Sequence, residues 1–505
     1  MIMMSPTFPK SAQSASTHAH ADGFSSLSRV TGLILLALTQ APSAVYYVAQ
    51  QGNDAGPGTL AQPFASLQKG HDVAIAGDTV YIRGGIYNIR GAGANADAGI
   101  SFTRSGQSAA RRICFFAYQD ERPIFDFSGL TLRGSVSGAG FYIKGSQWLH
   151  FRGLEIRNVP QPGGRANNGI WANPGSNIIY ERLDIHNIAG PGLSLAGGTG
   201  GNLVLNCDSH HNYDAKSDQG DGQNADGFGV HYQESGPPTI LRGCRAWWNS
   251  DDGFDCIHQG VAVIVENCWN ALSGYKPGTM TPAPSGNGSG FKVGGWGMPP
   301  SRYPAVIPRH TVRNSLAFLN KAAGFYQNHQ PIGNYFYNNT AYRNGVGFNM
   351  LGYDLNRRMD AGMGVYRNNI AFAGTATSNS SGADASNNSW DIPGLPVTAA
   401  DFESIDTAGV FGPRKPDGSL PDIKFLRLAG NSPLIDKGKD VGLSFEGAAP
   451  DLGAFEIGLP TRVFAARPSA VQPAAQELFD MAGRSLQRSE GLTVPSGPRK
   501  KVVSK

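Results

Sequence analysis

The sequence predicts an all-β fold, a parallel β-helix with an irregular C-terminal cap, and three observations predict it. The first is composition: 505 residues with 67 glycines and 32 prolines, 40% hydrophobic and 16% charged, are too apolar for disorder and too rich in turn formers for a helical protein. The second is a degenerate phrase, an apolar strand with a residue, often Asn, followed six positions later by another Asn. Asn206 and Asn212, Gly243 and Asn249, Asn314 and Asn320, and Asn338 and Asn344 keep this spacing. Weaker copies begin at Arg152, Glu181, Asn267 and Asn368, so successive starts lie 29, 25, 37, 24, 47, 24 and 30 residues apart. A minimum near 24 with longer exceptions describes a solenoid coil with loops budding from one corner. The third is a Gly followed by an apolar residue in each coil: Gly227-Phe228, Gly253-Phe254, Gly290-Phe291, Gly324-Phe325 and Gly347-Phe348, with earlier copies at Gly169-Ile170 and Gly192-Leu193. Glycine permits the bend, and an inward Phe on each rung can stack on the one below. Such short strands suit coils spaced ~4.8 Å apart, and asparagines repeated at a turn can form hydrogen-bonded ladders along the stack.

The elements follow in chain order. Residues 1–44 read as a secretory signal segment: Arg29 precedes an apolar run at 32–38, then Pro42, Ser43 and Ala44. That run falls short of the ~20 residues a membrane span needs, so no membrane span is expected. Residues 45–90 read as the first coil, with a turn at Gly77-Asp78, a strand at 79–82 and another turn at Gly84-Gly85. The β-helix domain extends over 45–458. Within it, 375–458 lose the repeat, gain Ser, Asn, Pro and Asp, and are expected to cap the last coils, with 451–456 as a closing strand. Residues 459–505 form a basic tail, eight Lys or Arg against three acids, that resembles the sorting tails of some bacterial secreted enzymes. The tail accounts for more than the whole formal charge of +4, so the body is not a nucleic-acid binder on charge grounds. Of the five cysteines, Cys207, Cys244 and Cys268 share one repeat position. Stacked small core residues are expected there rather than a disulfide framework or a zinc site.

Aligning the Gly-Phe phrases brings a set of charged residues into register. Asp226 precedes Gly227 and Asp252 precedes Gly253, so both occupy one position on adjacent rungs. Asp251 precedes Asp252, Asp255 follows Phe254, and Lys292 follows Phe291, which stacks Lys292 on Asp255. Four carboxylates on two rungs repel one another unless a cation neutralises them. Calcium, which takes six to eight oxygens in loose geometry, suits them better than magnesium. Beside such a site a lone lysine becomes a candidate base.

These residues, Asn224-Ala225-Asp226-Gly227-Phe228, Asp251-Asp252-Gly253-Phe254-Asp255 and Gly290-Phe291-Lys292, resemble the family 9 polysaccharide lyases. The resemblance covers 45–458 and is most specific between 206 and 328. It implies a right-handed parallel β-helix, calcium held by Asp226, Asp251, Asp252 and Asp255, and Lys292 as Brønsted base, with pectate as substrate. Divergence from relatives is expected at the insertions 213–223 and 275–289. In such a reaction the lysine removes the C5 proton of a uronate whose carboxylate is neutralised, and the C4 oxygen leaves without consuming water. A free lysine titrates near ~10.4, so an alkaline optimum is expected.

Other residues are secondary candidates. Tyr275, Trp296 and Arg302 flank Lys292 and are candidates for substrate contacts. His231 and His258 lie near the cluster in sequence, while His210 and His211 are expected at the surface or in a turn. Trp247, Trp248 and Trp269 could stack on sugars, although at least one must face the core. The partner expected is an acidic polysaccharide met by a secreted, extracellular monomer, with cell-surface attachment through the tail. The competing functions are a rhamnogalacturonan lyase of the same mechanism, a uronate epimerase, a hydrolase using paired aspartates without metal, and a non-catalytic glycan binder stapled by calcium.

Overall fold

The structure is a computed structural model and describes residues 43–91, 96–295, 306–352 and 364–459. Trp296 and Arg302 lie outside the described residues, as do nearly all of the signal segment and the basic tail. Each coil contributes a short strand to three parallel sheets in turn. The first sheet has twelve strands, from Val45–Val48 to Asp384–Ser386. The second runs from Gly85–Asn88 to Ile370–Phe372, and the third from Ala98–Phe102 to Thr377–Ser378, with ten strands each.

Alternation along these strands sends one side chain inward per rung. In the first sheet Phe115, Phe151, Tyr180, Val204 and Leu241 are successive partners in register, all buried. In the third sheet the expected Phe stack is present: Phe228, Phe254, Phe291, Phe325 and Phe348 lie ring on ring, with centroids 4.7–5.1 Å apart. Burying an aromatic ring this fully is worth about 3–5 kcal/mol against truncation to alanine.

The two asparagines of the repeat do different work. The first, at Asn206, Asn314, Asn338 and Asn368, adopts φ of 50–59°, a left-handed turn that Asn tolerates better than most residues. The second is buried and links coils: Asn212 Nδ2 donates to Asn249 Oδ1 at 2.8 Å, and Asn320 Nδ2 to Asn344 Oδ1 at 2.9 Å. A further ladder joins Asn339, Asn369 and Asn388 at 3.0 and 2.8 Å. Cys207, Cys244 and Cys268 are buried free thiols, as the shared repeat position implied.

Both ends of the stack are covered. The helix Leu67–Val73 closes the N-terminal end; the Ser66 hydroxyl caps it by accepting from Lys69 N, and Leu67, Gly70 and His71 are buried. The outer edge of Val45–Val48 is taken by the following loop: Tyr47 N donates to Gly58 O, and Phe64 N to Tyr47 O, both at 2.8 Å. At the other end strands persist to Ser386, beyond the 375 boundary at which the sequence repeat fades. The segment that follows then crosses to the outer face of the second sheet. There Phe402, Val410, Phe425 and Leu434 pack on Trp269, Leu316, Phe318 and Tyr342 in a second apolar core. Residues 451–456 form no strand, which corrects the closing strand expected there. Gly453 N donates to Asn368 O and Ala454 N to Thr340 Oγ1 instead, so these groups bond across the coils rather than along a ladder.

One ion cluster fastens this cap. Asp208 accepts from Arg245 at 2.7–2.8 Å and from Arg414 of the cap at 2.6 and 3.1 Å. Arg245 also donates to the carbonyls of Val410 and Gly412. Burial opposes ionisation of Asp208, but the two guanidinium groups outweigh it and hold its carboxyl at about 2.

Candidate active site

The third sheet carries the predicted charged residues. Phe254 pairs with Phe228 below and Phe291 above, and Asp255 lies opposite Lys292, so the five residues occupy three consecutive rungs. Asp226, Asp251, Asp252 and Asp255 are each 4% exposed or less. Gly253 makes this convergence possible. A Cβ there would collide with Asn270 Nδ2 and stand 2.8 Å from the Gly290 carbonyl oxygen.

Few groups compensate the four acids. Asn287 N donates to Asp251 Oδ1 at 2.6 Å and Ser289 N to Asp252 Oδ1 at 2.7 Å, both from the 275–289 insertion and the residues around it. That insertion is tied to the other one by Ser285 N donating to Asp221 O. Lys292 Nζ donates to Asp252 Oδ2 at 2.9 Å and Asp255 Oδ2 at 3.1 Å. Burial, and then the neighbouring carboxylates, push Asp226 and Asp251 well above the usual carboxylate range. Burial opposes ionisation of Asp255 as well, but Lys292 and His231 bring it down to about 2. For Lys292 burial would lower the ammonium, and the carboxylates of Asp252, Asp255, Asp251 and Asp226 outweigh it and hold it well above the usual lysine range.

This donor set fits a hard divalent cation. Carboxylate oxygens of Asp226, Asp251 and Asp252 lie within 4.8 Å of one another. Asp255 Oδ1 is buried without a hydrogen-bond partner. Among the described residues one ammonium meets these four acids, a deficit that oxygen-loving cations relieve.

The residue after each Gly-Phe phrase forms one outward column. In register it reads Tyr142, Trp171, Ser194, Gly229, Asp255, Lys292, Tyr326 and Asn349. A cavity of about 350 Å³ opens beside Lys292, with Ser289, Tyr326, Asn328, His329 and Asn349 in its lining. At the other end of the column the Trp171 and Tyr142 rings stack at 4.6 Å. Tyr326, Asn349, Tyr142 and Trp171 were missed in the sequence, although the same register that placed Lys292 would have found them.

The remaining candidates lie elsewhere. Tyr275 packs against the second apolar core, on the cap side, and does not line the cavity. Trp269 and Trp247 are buried, Trp247 stacking on Phe411 of the cap at 4.8 Å, so neither offers a ring to a sugar. His210 ends a second-sheet strand, sandwiched between His186 and Trp247. His211 sits in the turn, with φ 55°.

Known proteins agree with this architecture. The family described as Pel9A-like, right-handed β-helix region, matches residues 46–388. Pectate lyase L of Dickeya dadantii is 35% identical over 82% of this chain and 90% of its own length. Pectate lyase PEL9 of Emericella nidulans is 31% identical over 81% and 96%. Among solved structures, that of pectate lyase Pel9A superposes with TM-score 0.68 at 33% identity, covering 82% of this chain and 96% of that one. A rhamnogalacturonan lyase gives 0.66 at 33% identity, covering 77% and 97%. With the family match running over residues 46–388 and relatives at 31–35% identity over about four fifths of the chain, this chain belongs to the Pel9A-like right-handed β-helix family of polysaccharide lyases.

Proposed function

We infer that the chain is a calcium-dependent pectate lyase that cleaves polygalacturonate by β-elimination. The observation that carries this reading is the pairing of an under-compensated acidic centre with a single lysine, on one face beside an open cavity. Asp226, Asp251, Asp252 and Asp255 would hold calcium. When bound, calcium supplies neutralisation of a uronate carboxylate, which acidifies the adjacent C5 proton. Without the ion the carboxylates hold Lys292 as an ammonium. With calcium on those carboxylates that hold would be offset, Lys292 would release its proton to solvent at alkaline pH, and the neutral Nζ would then take the C5 proton. The C5–H electron pair then forms the C4–C5 double bond, and the C4–O bond breaks with the glycosidic oxygen leaving. Tyr326, whose phenol burial pushes up to about 12, stays protonated and offers a hydrogen-bond donor one rung from Lys292. At the far end of the column the Trp171 ring suits stacking on a sugar ring of a longer chain.

Polygalacturonate incubated with calcium should yield unsaturated uronides, read as near-ultraviolet absorbance, and chelator should abolish the signal. Reducing ends without absorbance would instead indicate hydrolysis and overturn the lyase reading. The likeness to a rhamnogalacturonan lyase makes rhamnogalacturonan the second polymer to assay. A polymeric substrate outside the cell agrees with export of the chain through residues 1–44, which N-terminal sequencing of secreted protein tests. Residues 459–505 would then act as a sorting tail.

A further inference from the structure

The acidic centre contains two overlapping triads of unlike chemistry. Asp226, Asp251 and Asp252 present only oxygens, and Asp226, His231 and Asp255 present oxygen and imidazole nitrogen; within each triad the ligand atoms lie within 4.8 Å of one another.

Three observations set His231 apart from an ordinary surface histidine. Its ring lies over Gly229, where an added Cβ would stand 3.2 Å from Cε1 and 3.4 Å from Nε2. The missing side chain is therefore what lets the imidazole lie close to the rung. Its Nε2 is directed at Asp255, 3.7 Å from Oδ2, beyond hydrogen-bond length. Both His231 Nε2 and Asp255 Oδ1 are buried with no hydrogen-bond partner, and Asp255 is 4% exposed. The imidazole nitrogen thus faces a carboxylate one of whose oxygens is itself unpartnered, and each of the two atoms, when deprotonated, has a lone pair to offer a cation.

The kind of ion follows from the donors. Calcium and magnesium prefer oxygen, whereas imidazole with carboxylates suits borderline first-row dications such as manganese, cobalt, nickel and zinc. We propose that Asp226, His231 and Asp255 form a transition-metal site that overlaps the calcium position, sharing Asp226 and Asp255 with it and adding the imidazole of His231. The proposal rests on the functional reading above only in taking Asp226 and Asp255 as cation ligands. An ion there draws on Asp226 and Asp255, both ligands of the calcium position, and Asp255 is also a partner of Lys292. Such metals should therefore inhibit the lyase reaction through His231.

The test uses the full chain stripped of metal, titrated separately with Co2+, Zn2+ and Ca2+ by calorimetry, with the visible Co2+ spectrum read in parallel. Wild-type protein should bind Co2+ with a spectrum showing nitrogen ligation. His231→Ala, checked by circular dichroism and thermal unfolding, should weaken Co2+ and Zn2+ binding by about tenfold or more and change Ca2+ affinity less than twofold. His231→Gln, which keeps bulk over Gly229, should behave as His231→Ala does. The same Co2+ and Zn2+ affinities in wild type and both variants would overturn the proposal, as would no Co2+ or Zn2+ binding by wild type below millimolar concentration. Asp251→Asn separates the two readings, since it should cost Ca2+ affinity and leave the His231-dependent Co2+ signal. Absence of Ca2+ binding in wild type would sink the functional reading while the Co2+ result decides this one.

Discussion

Two buried ion clusters lie on different faces of the same coils, and their charge balance is opposite. On the second sheet, Asp208 meets two guanidinium groups, which also bind carbonyls of the cap. On the third sheet, four aspartates meet one ammonium. The first cluster is over-supplied with positive charge, holds its carboxyl at about 2 and joins two parts of the chain. In the second, two carboxyls are pushed far upward and an oxygen is left without a partner. A buried cluster that is already compensated can only fasten. One left short of positive charge has capacity to bind.

The comparison is broken most directly at Lys292. Lys292→Ala should lower kcat by about 10²–10⁴-fold, with the thermal midpoint of calcium-loaded protein nearly unchanged. A large fall in midpoint with activity retained would put Lys292 in the same class as Arg245 and Arg414. Asp208→Asn should show the reverse. Stability falls by about 3–5 kcal/mol, because two arginines lose their charge partner, and kcat per folded molecule is kept, as denaturant unfolding and assay together would register. The acid limb gives the same contrast. The folded value of Asp208 lies below its ordinary 3.8, so its contribution is complete above that pH and is lost as pH falls from there through about 2. The loss is about 2 kcal/mol, measured as the difference between wild type and Asp208→Asn in acid unfolding.

Calcium sharpens the contrast from the other side. At about a hundred times its Kd the ion should stabilise the wild type by about 2.7 kcal/mol. That shift should shrink in Asp251→Asn and persist as a difference between chelated and loaded samples of Asp208→Asn. Least affected should be Trp171→Ala. Losing one aromatic stacking surface is worth about 1 kcal/mol, and a several-fold rise in KM for polymer, with little change for short oligomers, would place a sugar at that end of the column.

What the sequence disclosed follows from how local each signal is. Gly-Phe phrases mark a bend and an inward ring within two residues, so Asp255 and Lys292 could be registered without knowing anything distant. The coils before residue 152 carry the phrase as well, at Gly99-Ile100 and Gly140-Phe141, but lack the Asn spacing. Their turns place Gln119 and Trp148 rather than Asn at positive φ, so the Asn repeat does not reach them although the strands are equally regular. The helix Leu67–Val73 carries too few residues for a periodic pattern to stand out. The cap was recognised as irregular, but nothing local in Phe402 or Arg414 reveals that its partner is the second sheet, some 200 residues earlier in the chain for the Asp208 contact. His231 was visible as a residue near the cluster. Its approach to Asp255 depends on a side chain that Gly229 does not have, and absences of that kind are read only in three dimensions.

The loop that occupies the outer edge of Val45–Val48 has a consequence for solubility. A column of parallel strands is in principle endless, since a bare terminal rung offers the same donors and acceptors as any rung inside it. Gly58 and Phe64 take up those groups at the first rung, and Leu67 and His71 cover the apolar interior behind them. Trp390 packs against Phe348 near the opposite end. The coil is thereby given a fixed length, and molecules of this enzyme are kept from adding to one another end to end as a filament.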